Sequence, residues 1–235
     1  MDNTALPSGL SQFGVKSHDV FDDFLWGTLS SDGPTSLSSV ILNAGIATIE
    51  TTAPANNGYV GKLTVSTGIT SNSTGKAVYQ SSGGTPRVKA GGGPITLEWR
   101  ILIPVLSGTP QFNVKVGLQD GSAVGDPANG IYFYYSSTVN SGIWRCVTRN
   151  ASTSTNILTT GVTVAAATWY KLRLQINSAG NNVDFFINDI WVGNSTTNIP
   201  TTNGSMLMAS IEKQGTASAT ERTMDIDWVY FRVER

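Results

Sequence analysis

The feature that most constrains this chain is a period of two. In Gln111–Leu118, Phe112, Val114, Val116 and Leu118 fall on one side, and Asn113, Lys115 and Gly117 on the other. In Trp169–Ile176, Tyr170, Leu172, Leu174 and Ile176 oppose Trp169, Lys171, Arg173 and Gln175. In Val183–Asn188, Val183, Phe185 and Ile187 oppose Asp184, Phe186 and Asn188. Successive side chains of a strand point to opposite faces, so one set enters a core and the other meets solvent. Ser178-Ala179-Gly180-Asn181-Asn182 separates the last two segments. Its residues tolerate positive φ, which makes the pair a hairpin.

Further segments rich in Val, Ile, Thr and aromatics predict strands at Ala47–Glu50, Gly61–Ser66, Lys76–Gln80, Ile95–Ile103, Gly130–Tyr135, Gly142–Arg149, Met206–Glu212 and Met224–Val233. Clusters of Gly, Asn, Ser, Pro and Asp divide them, as in an antiparallel sandwich. No capped run of 3.6 period is visible, so helix is expected to be minor. No fixed repeat points to a propeller or solenoid. The 235 residues suit one all-β domain, since sandwiches run to roughly 200–250 residues as one unit. Residues 1–20 are weakly patterned and are expected to form an N-terminal arm that docks to a partner subunit. The sandwich is expected over 21–235.

The net charge is −1, and charged residues make up only 13% of the chain. A nucleic-acid partner wants a basic surface, and an anionic membrane has nothing here to attract. The single cysteine, Cys146, allows no internal disulfide and no paired-cysteine metal site; a buried structural thiol is expected. One histidine, His18, argues against histidine-rich zinc sites and a His-based triad. The start Met-Asp-Asn-Thr-Ala-Leu-Pro has no basic flank or apolar run, so no signal peptide is expected and synthesis and folding are assigned to a cytoplasm. No run approaches the ~18 apolar residues of a membrane helix.

Three runs carry a resemblance. Thr168-Trp169-Tyr170-Lys171-Leu172-Arg173-Leu174, Val183-Asp184-Phe185-Phe186-Ile187-Asn188-Asp189 and Thr197-Asn198-Ile199-Pro200-Thr201 resemble the paired strands of the concanavalin A-like lectin/glucanase jelly rolls. Asp225-Ile226-Asp227-Trp228-Val229-Tyr230-Phe231 is similar to the last strand of that superfamily, and Phe21-Asp22-Asp23-Phe24 to its opening. Thr148-Arg149-Asn150, Leu63-Thr64-Val65-Ser66-Thr67-Gly68-Ile69-Thr70 and Ile211-Glu212-Lys213-Gln214-Gly215-Thr216 resemble, in their order, jelly-roll modules of tailed-bacteriophage virion proteins. The resemblance implies an antiparallel two-sheet jelly-roll sandwich over about residues 21–235. Fold alone does not carry function, because the superfamily hosts lectins, glycanases, lyases and scaffolds.

Retaining glycosidases need two carboxyls about 5–5.5 Å apart, and those of the superfamily carry them in a strand of pattern E-x-D-x-x-E. No such strand is present; Asp225-Ile226-Asp227 has two carboxylates at the right step and lacks the third. A lyase pattern is echoed only by Leu97-Glu98-Trp99-Arg100. No catalytic residue is assigned, and the chain is expected to be non-enzymatic. Tyr132, Tyr134, Arg145, Arg149, Trp169 and Phe186 fall on predicted solvent faces. Aromatic rings stack on sugars and guanidinium forks bind hydroxyls and carboxylates, so this set suits a glycan platform. It equally suits a subunit interface, which exposed apolar patches usually mark, and the interface is preferred. Glu98 and Arg100 are candidate sugar ligands or, as the simpler reading, a surface ion pair worth ~0–1 kcal/mol.

Trp26, Trp99, Trp144, Trp191 and Trp228 are read as packing residues. Asp120-Gly121-Ser122 with Asp126 offers oxygen ligands for a calcium loop and equally suits an ordinary turn. Asp227 is a candidate calcium ligand by the resemblance alone, and no other cofactor is expected. Gly83-Gly84 and Gly91-Gly92-Gly93 lack the Lys-Ser/Thr and helix of a phosphate loop.

The leading expectation is a structural virion protein of a bacteriophage: head decoration, fibre or tail component. It would be homo-oligomeric, contact other virion proteins and assemble in the host cytoplasm. The alternatives are a carbohydrate-binding module that attaches to host glycans, and a glycanase or lyase.

Overall fold

The computed structural model describes residues 17–22, 36–42, 46–49, 61–70, 74–80, 88–121, 125–138, 142–157, 160–214 and 220–234. Residues 1–16 of the expected arm, Glu50, Phe24, Trp26, Gly83, Gly84, Ser122, Gly215 and Thr216 lie outside them. Every element among the described residues is a β-strand, and none is a helix.

Two antiparallel sheets form the sandwich. The eight-stranded sheet runs β13 (Ile190–Ser195), β12 (Val183–Ile187), β11 (Trp169–Ile176), β6 (Ile95–Leu102), β15 (Thr223–Glu234), β4 (Leu63–Ser66) and β3 (Ile46–Ile49), with β1 (Ser17–Asp22) also paired to β15. The seven-stranded sheet runs β10 (Thr153–Ile157), β9 (Arg145–Asn150), β8 (Gly130–Ser136), β7 (Gln111–Gln119), β14 (Met206–Gln214), β5 (Thr74–Gln80) and β2 (Ser36–Leu42). The all-β jelly-roll expectation holds. Strands β1, β2, β10 and β13 add to those read from the sequence. Residues 17–20 of the expected arm begin β1, whose partner here is β15 of the same chain.

The alternation explains the core. Leu97, Trp99 and Ile101 of β6, Tyr170, Leu172 and Leu174 of β11, and Phe185 and Ile187 of β12 point inward and are buried. They meet Phe112, Val114 and Val116 of β7 and Ile131, Phe133 and Tyr135 of β8. Fully burying one such side chain contributes about 1.5–3 kcal/mol. Aromatic contacts lock the layers: Phe133 meets Phe185 edge-on at 5.4 Å across the two sheets. Trp144 meets Tyr135 and Tyr170, both at 5.9 Å. The buried Tyr170 hydroxyl donates to the Thr163 carbonyl at 3.2 Å and accepts from the Ala165 N–H at 2.7 Å, so it carries no desolvation cost. Cys146 is fully buried in the same core, and burial pushes its thiol far above the usual range.

The expected β11–β12 hairpin is present, with Leu174 opposite Phe185. Gly180 takes φ 69° at its turn, and Asn177 Oδ1 accepts from the Asn181 and Asn182 N–H groups at 3.0 and 3.2 Å. Gly91 packs on this turn: a Cβ on Gly180 would lie 2.5 Å from Gly91 N. The Gly91-Gly92-Gly93 run thus serves a close approach of two backbones.

Candidate functional site

The structure divides the eight candidate ligands between the two outer surfaces of the sandwich. Glu98 and Arg100 of β6, Trp169 of β11 and Phe186 of β12 lie on the outside of the eight-stranded sheet, by their register with one another. Tyr132 and Tyr134 of β8 and Arg145 and Arg149 of β9 lie on the outside of the seven-stranded sheet. One platform holding all of them does not exist, because the sandwich core separates the groups.

The first surface is cross-linked by its own ion pairs. Arg100 stacks over the Trp169 ring at 4.8 Å and is ion-paired to Asp227. Arg173 covers the Phe186 ring at 4.3 Å and meets Glu98 at 3.7 Å and Asp189 at 3.2 Å. Lys171 meets Asp189 at 2.5 Å. Glu98 and Arg100 therefore do not pair with each other. Each finds a neighbour on an adjacent strand. Both candidate aromatic rings carry a guanidinium on a face that a sugar would need.

Asp227 sits at a register shift of β15 between Ile226 and Trp228. Such a bulge re-aims a side chain, and here it turns the carboxylate to Arg100. Among the described residues no group of three or more His, Cys, Asp or Glu could hold a metal ion. Asp126, read as part of a turn, is an ion-pair partner of Lys115 and Arg149.

The second surface departs from the sequence expectation. Asn113, Lys115 and Tyr132 were expected in solvent, yet they are 4%, 3% and 2% exposed. Alternation gives the direction of a side chain and says nothing of what lies over the sheet. Over Lys115 lies the Gly125–Asp126 backbone. Its ammonium donates to the Gly125 carbonyl at 2.6 Å and meets Glu212 and Asp126, each at 3.1 Å. Glu212 in turn accepts from the Gly125 N–H at 2.9 Å. The other Asp126 oxygen faces Arg149 at 3.4 Å.

Tyr132 owes its position to glycine. It stands opposite Gly117 in the register, where φ is 152° and a Cβ would fall 2.7 Å from Tyr132 Cα and 2.3 Å from the Ile131 carbonyl. A Cβ on Gly130 would meet the Tyr132 ring at 3.0 Å. Burial first, and then the Asp126 charge, hold the Tyr132 phenol protonated far above its ordinary range. Burial raises Tyr134 as well. Arg145 lies over the Tyr134 ring at 5.5 Å. Ser210, Met206 and Met208 of β14 complete the buried floor.

This surface therefore gathers one ammonium, two guanidinium groups, two carboxylates and two neutral phenols from β7, β8, β9, β14 and one loop. Such a set can hold hydroxyls and anions and can hold or move protons. Lys115 and Glu212 were missed as site residues. Their signal was a Lys and a Glu on polar strand faces; what was missing was the knowledge that β7 lies between β8 and β14.

Trp99 and Trp144 are buried as expected, and Trp228 is half-buried. Trp191 is the correction: on the edge strand β13 it is 56% exposed, its indole N–H donating to Asp184 at 3.1 Å. With Ile187, Ile190 and Val162 it borders an apolar cavity of about 500 Å³.

Solved structures of this fold include an endo-1,3-β-glucanase from Streptomyces sioyaensis (13% identity, 100% of each chain covered, TM-score 0.59). They also include an endo-β-1,4-glucuronan lyase from the fungus Trichoderma reesei (11% identity, 82% of this chain and 89% of that one, TM-score 0.54). A third is the carbohydrate recognition domain of Emp46p in metal-free form (10% identity, 89% and 94%, TM-score 0.54). At such identities the likeness establishes the concanavalin A-like jelly-roll fold and nothing finer.

The expectation of a non-enzymatic chain is corrected: enzymes stand among these neighbours, so the fold gives no ground for excluding activity. The physical reason is that the missing E-x-D-x-x-E strand excludes only one arrangement. Here the titratable side chains converge from different strands, which no single-strand motif reveals. No curated protein matches the chain. The family described as SO2946-like, C-terminal domain, matches residues 58–227, and the chain belongs to that family.

Proposed function

We propose that this chain engages carbohydrate through the outer surface of its seven-stranded sheet. The observation that supports this most is the convergence of Tyr134, Arg145, Arg149 and Asp126 on one outer face, above the buried Tyr132, Lys115 and Glu212. Guanidinium forks take paired oxygens of the kind that sugars present. The fold neighbours, whose names concern glucan, glucuronan and carbohydrate recognition, point the same way.

The test is binding of a panel of soluble polysaccharides to the full chain, with analysis of the mixtures for new reducing ends and unsaturated sugars. The reading expects binding that falls at least about tenfold, the scale of one or two lost charged hydrogen bonds, in the double variant Tyr134→Ala, Arg149→Ala. Binding that survives in a folded double variant overturns the site. New chain ends would extend the reading from binding to processing.

A second reading places the chain on a bacteriophage particle, as a decoration, fibre or tail component contacting copies of itself and other virion proteins. It is supported by the order of the virion-like motifs and by the exposed Ile190 and Trp191 on the edge strand, which suit a contact surface. Mass spectrometry of purified particles tests it: stoichiometric copies support it, and absence from the particle contradicts it.

A further inference from the structure

The charges on the proposed sugar surface do not cancel. Lys115 lies between Glu212 and Asp126, and Asp126 turns its second oxygen to Arg149 at 3.4 Å. Arg145 meets no carboxylate among the described residues; its contact is the Tyr134 ring at 5.5 Å. Three cations thus face two carboxylates on β7, β8, β9, β14 and the Gly125–Asp126 loop.

A second observation is independent of this balance. The Nε atoms of Arg145 and Arg149 are both buried without a hydrogen-bond acceptor. A buried donor left unpaired is costly, so neither guanidinium has its set of donors filled within the chain. Arg173 Nε on the opposite surface is also unpaired, but its guanidinium is already bracketed by Glu98 and Asp189. Among the described residues of the two surfaces, it is the Arg145–Arg149 side that combines unpaired donors with uncancelled charge.

We infer that the carbohydrate is an acidic one, a chain of uronic acid residues whose carboxylates seat along β9, one against Arg145 and another against Arg149. This rests on the carbohydrate reading above and names its substrate class. Arginine forks accept a carboxylate through two parallel hydrogen bonds, a geometry that neutral hydroxyls match less well. Asp126, with half of its side chain exposed and a long 3.4 Å contact to Arg149, is the internal carboxylate that such a ligand displaces.

The experiment measures the affinity of the full chain for polyglucuronate and for a neutral β-glucan, at low and at high salt. The expected result is preference for the polyuronate, weakened by salt because the contacts are ionic. Arg145→Gln weakens polyuronate binding about tenfold and weakens neutral-glucan binding by clearly less, since only the polyuronate loses an ionic contact. Asp126→Asn, which removes the competing carboxylate, tightens polyuronate binding several-fold and keeps the inference testable should the Arg145 variant misfold. Equal affinity for both polymers, or polyuronate affinity untouched by both variants, overturns the inference and leaves the carbohydrate reading standing. Failure to bind either polymer overturns both.

Discussion

At the residue scale, like-looking ion pairs on the two surfaces differ in what holds them. Lys115 is buried between two carboxylates, so Lys115→Met strands Glu212 in a desolvated site. The expected loss is about 3 kcal/mol, the usual cost of breaking a buried pair by removing one partner. Lys171, paired with the exposed Asp189, is worth under about 1 kcal/mol. Urea denaturation of the two Met variants measures the contrast.

Acid titration separates Glu98 and Asp189, which share Arg173. The hydrogen bond from Lys171 is the main cause that lowers the Asp189 carboxyl below its ordinary value. Its contribution is present above the unfolded pKa and fades as pH falls through the folded one. Burial raises Glu98 despite Lys171 and Arg173, so it has the opposite sign: stability declines as pH rises from the unfolded pKa through the folded one. In an acid denaturation series Asp189→Asn therefore loses its destabilisation relative to wild type at low pH, whereas Glu98→Gln gains relative stability as pH rises. Cys146, buried and held as a thiol, is expected to resist alkylation in the native protein and to react fully in denaturant.

At the element scale, the legible parts of this fold were those whose inward faces are unbroken. Strands β11 and β12 stood out because Tyr170, Leu172, Leu174, Phe185 and Ile187 alternate cleanly and a glycine–asparagine turn joins them. Strand β13 was not legible: Ile190 and Trp191 are both exposed at its start, at 70% and 56%, so its opening pair breaks the period. Strand β10, Thr153–Ile157, is nearly all small and polar, and pairs only with β9 at the sheet edge.

The outward side of β7 was legible in direction and not in burial. Local sequence cannot say that the Gly125–Asp126 loop folds back over Lys115. Gly117 in the same strand is the informative position. Gly117→Ala drives a Cβ into the Ile131 carbonyl and Tyr132 backbone of β8. It is expected to cost at least about 1–3 kcal/mol, the range for overpacking, read as a lowered melting temperature. Gly117 thus marks a close approach of the β7 and β8 backbones, and Gly130 makes room for the Tyr132 ring.

At the scale of the whole molecule, the sandwich presents two outer surfaces of opposite character. One is cross-linked by its own ion pairs and stacked rings. The other collects phenols, cations and carboxylates from several strands and leaves donors unfilled. Local pattern places residues of both surfaces in one outward-facing set, because strand order, which decides the surface, is set by long-range pairing.

Amide hydrogen exchange with and without saturating polysaccharide tests this division most directly. Slowed exchange confined to β7, β8, β9 and β14 is the predicted result. Slowing confined to β6, β11 and β12, with those four strands unchanged, would contradict it.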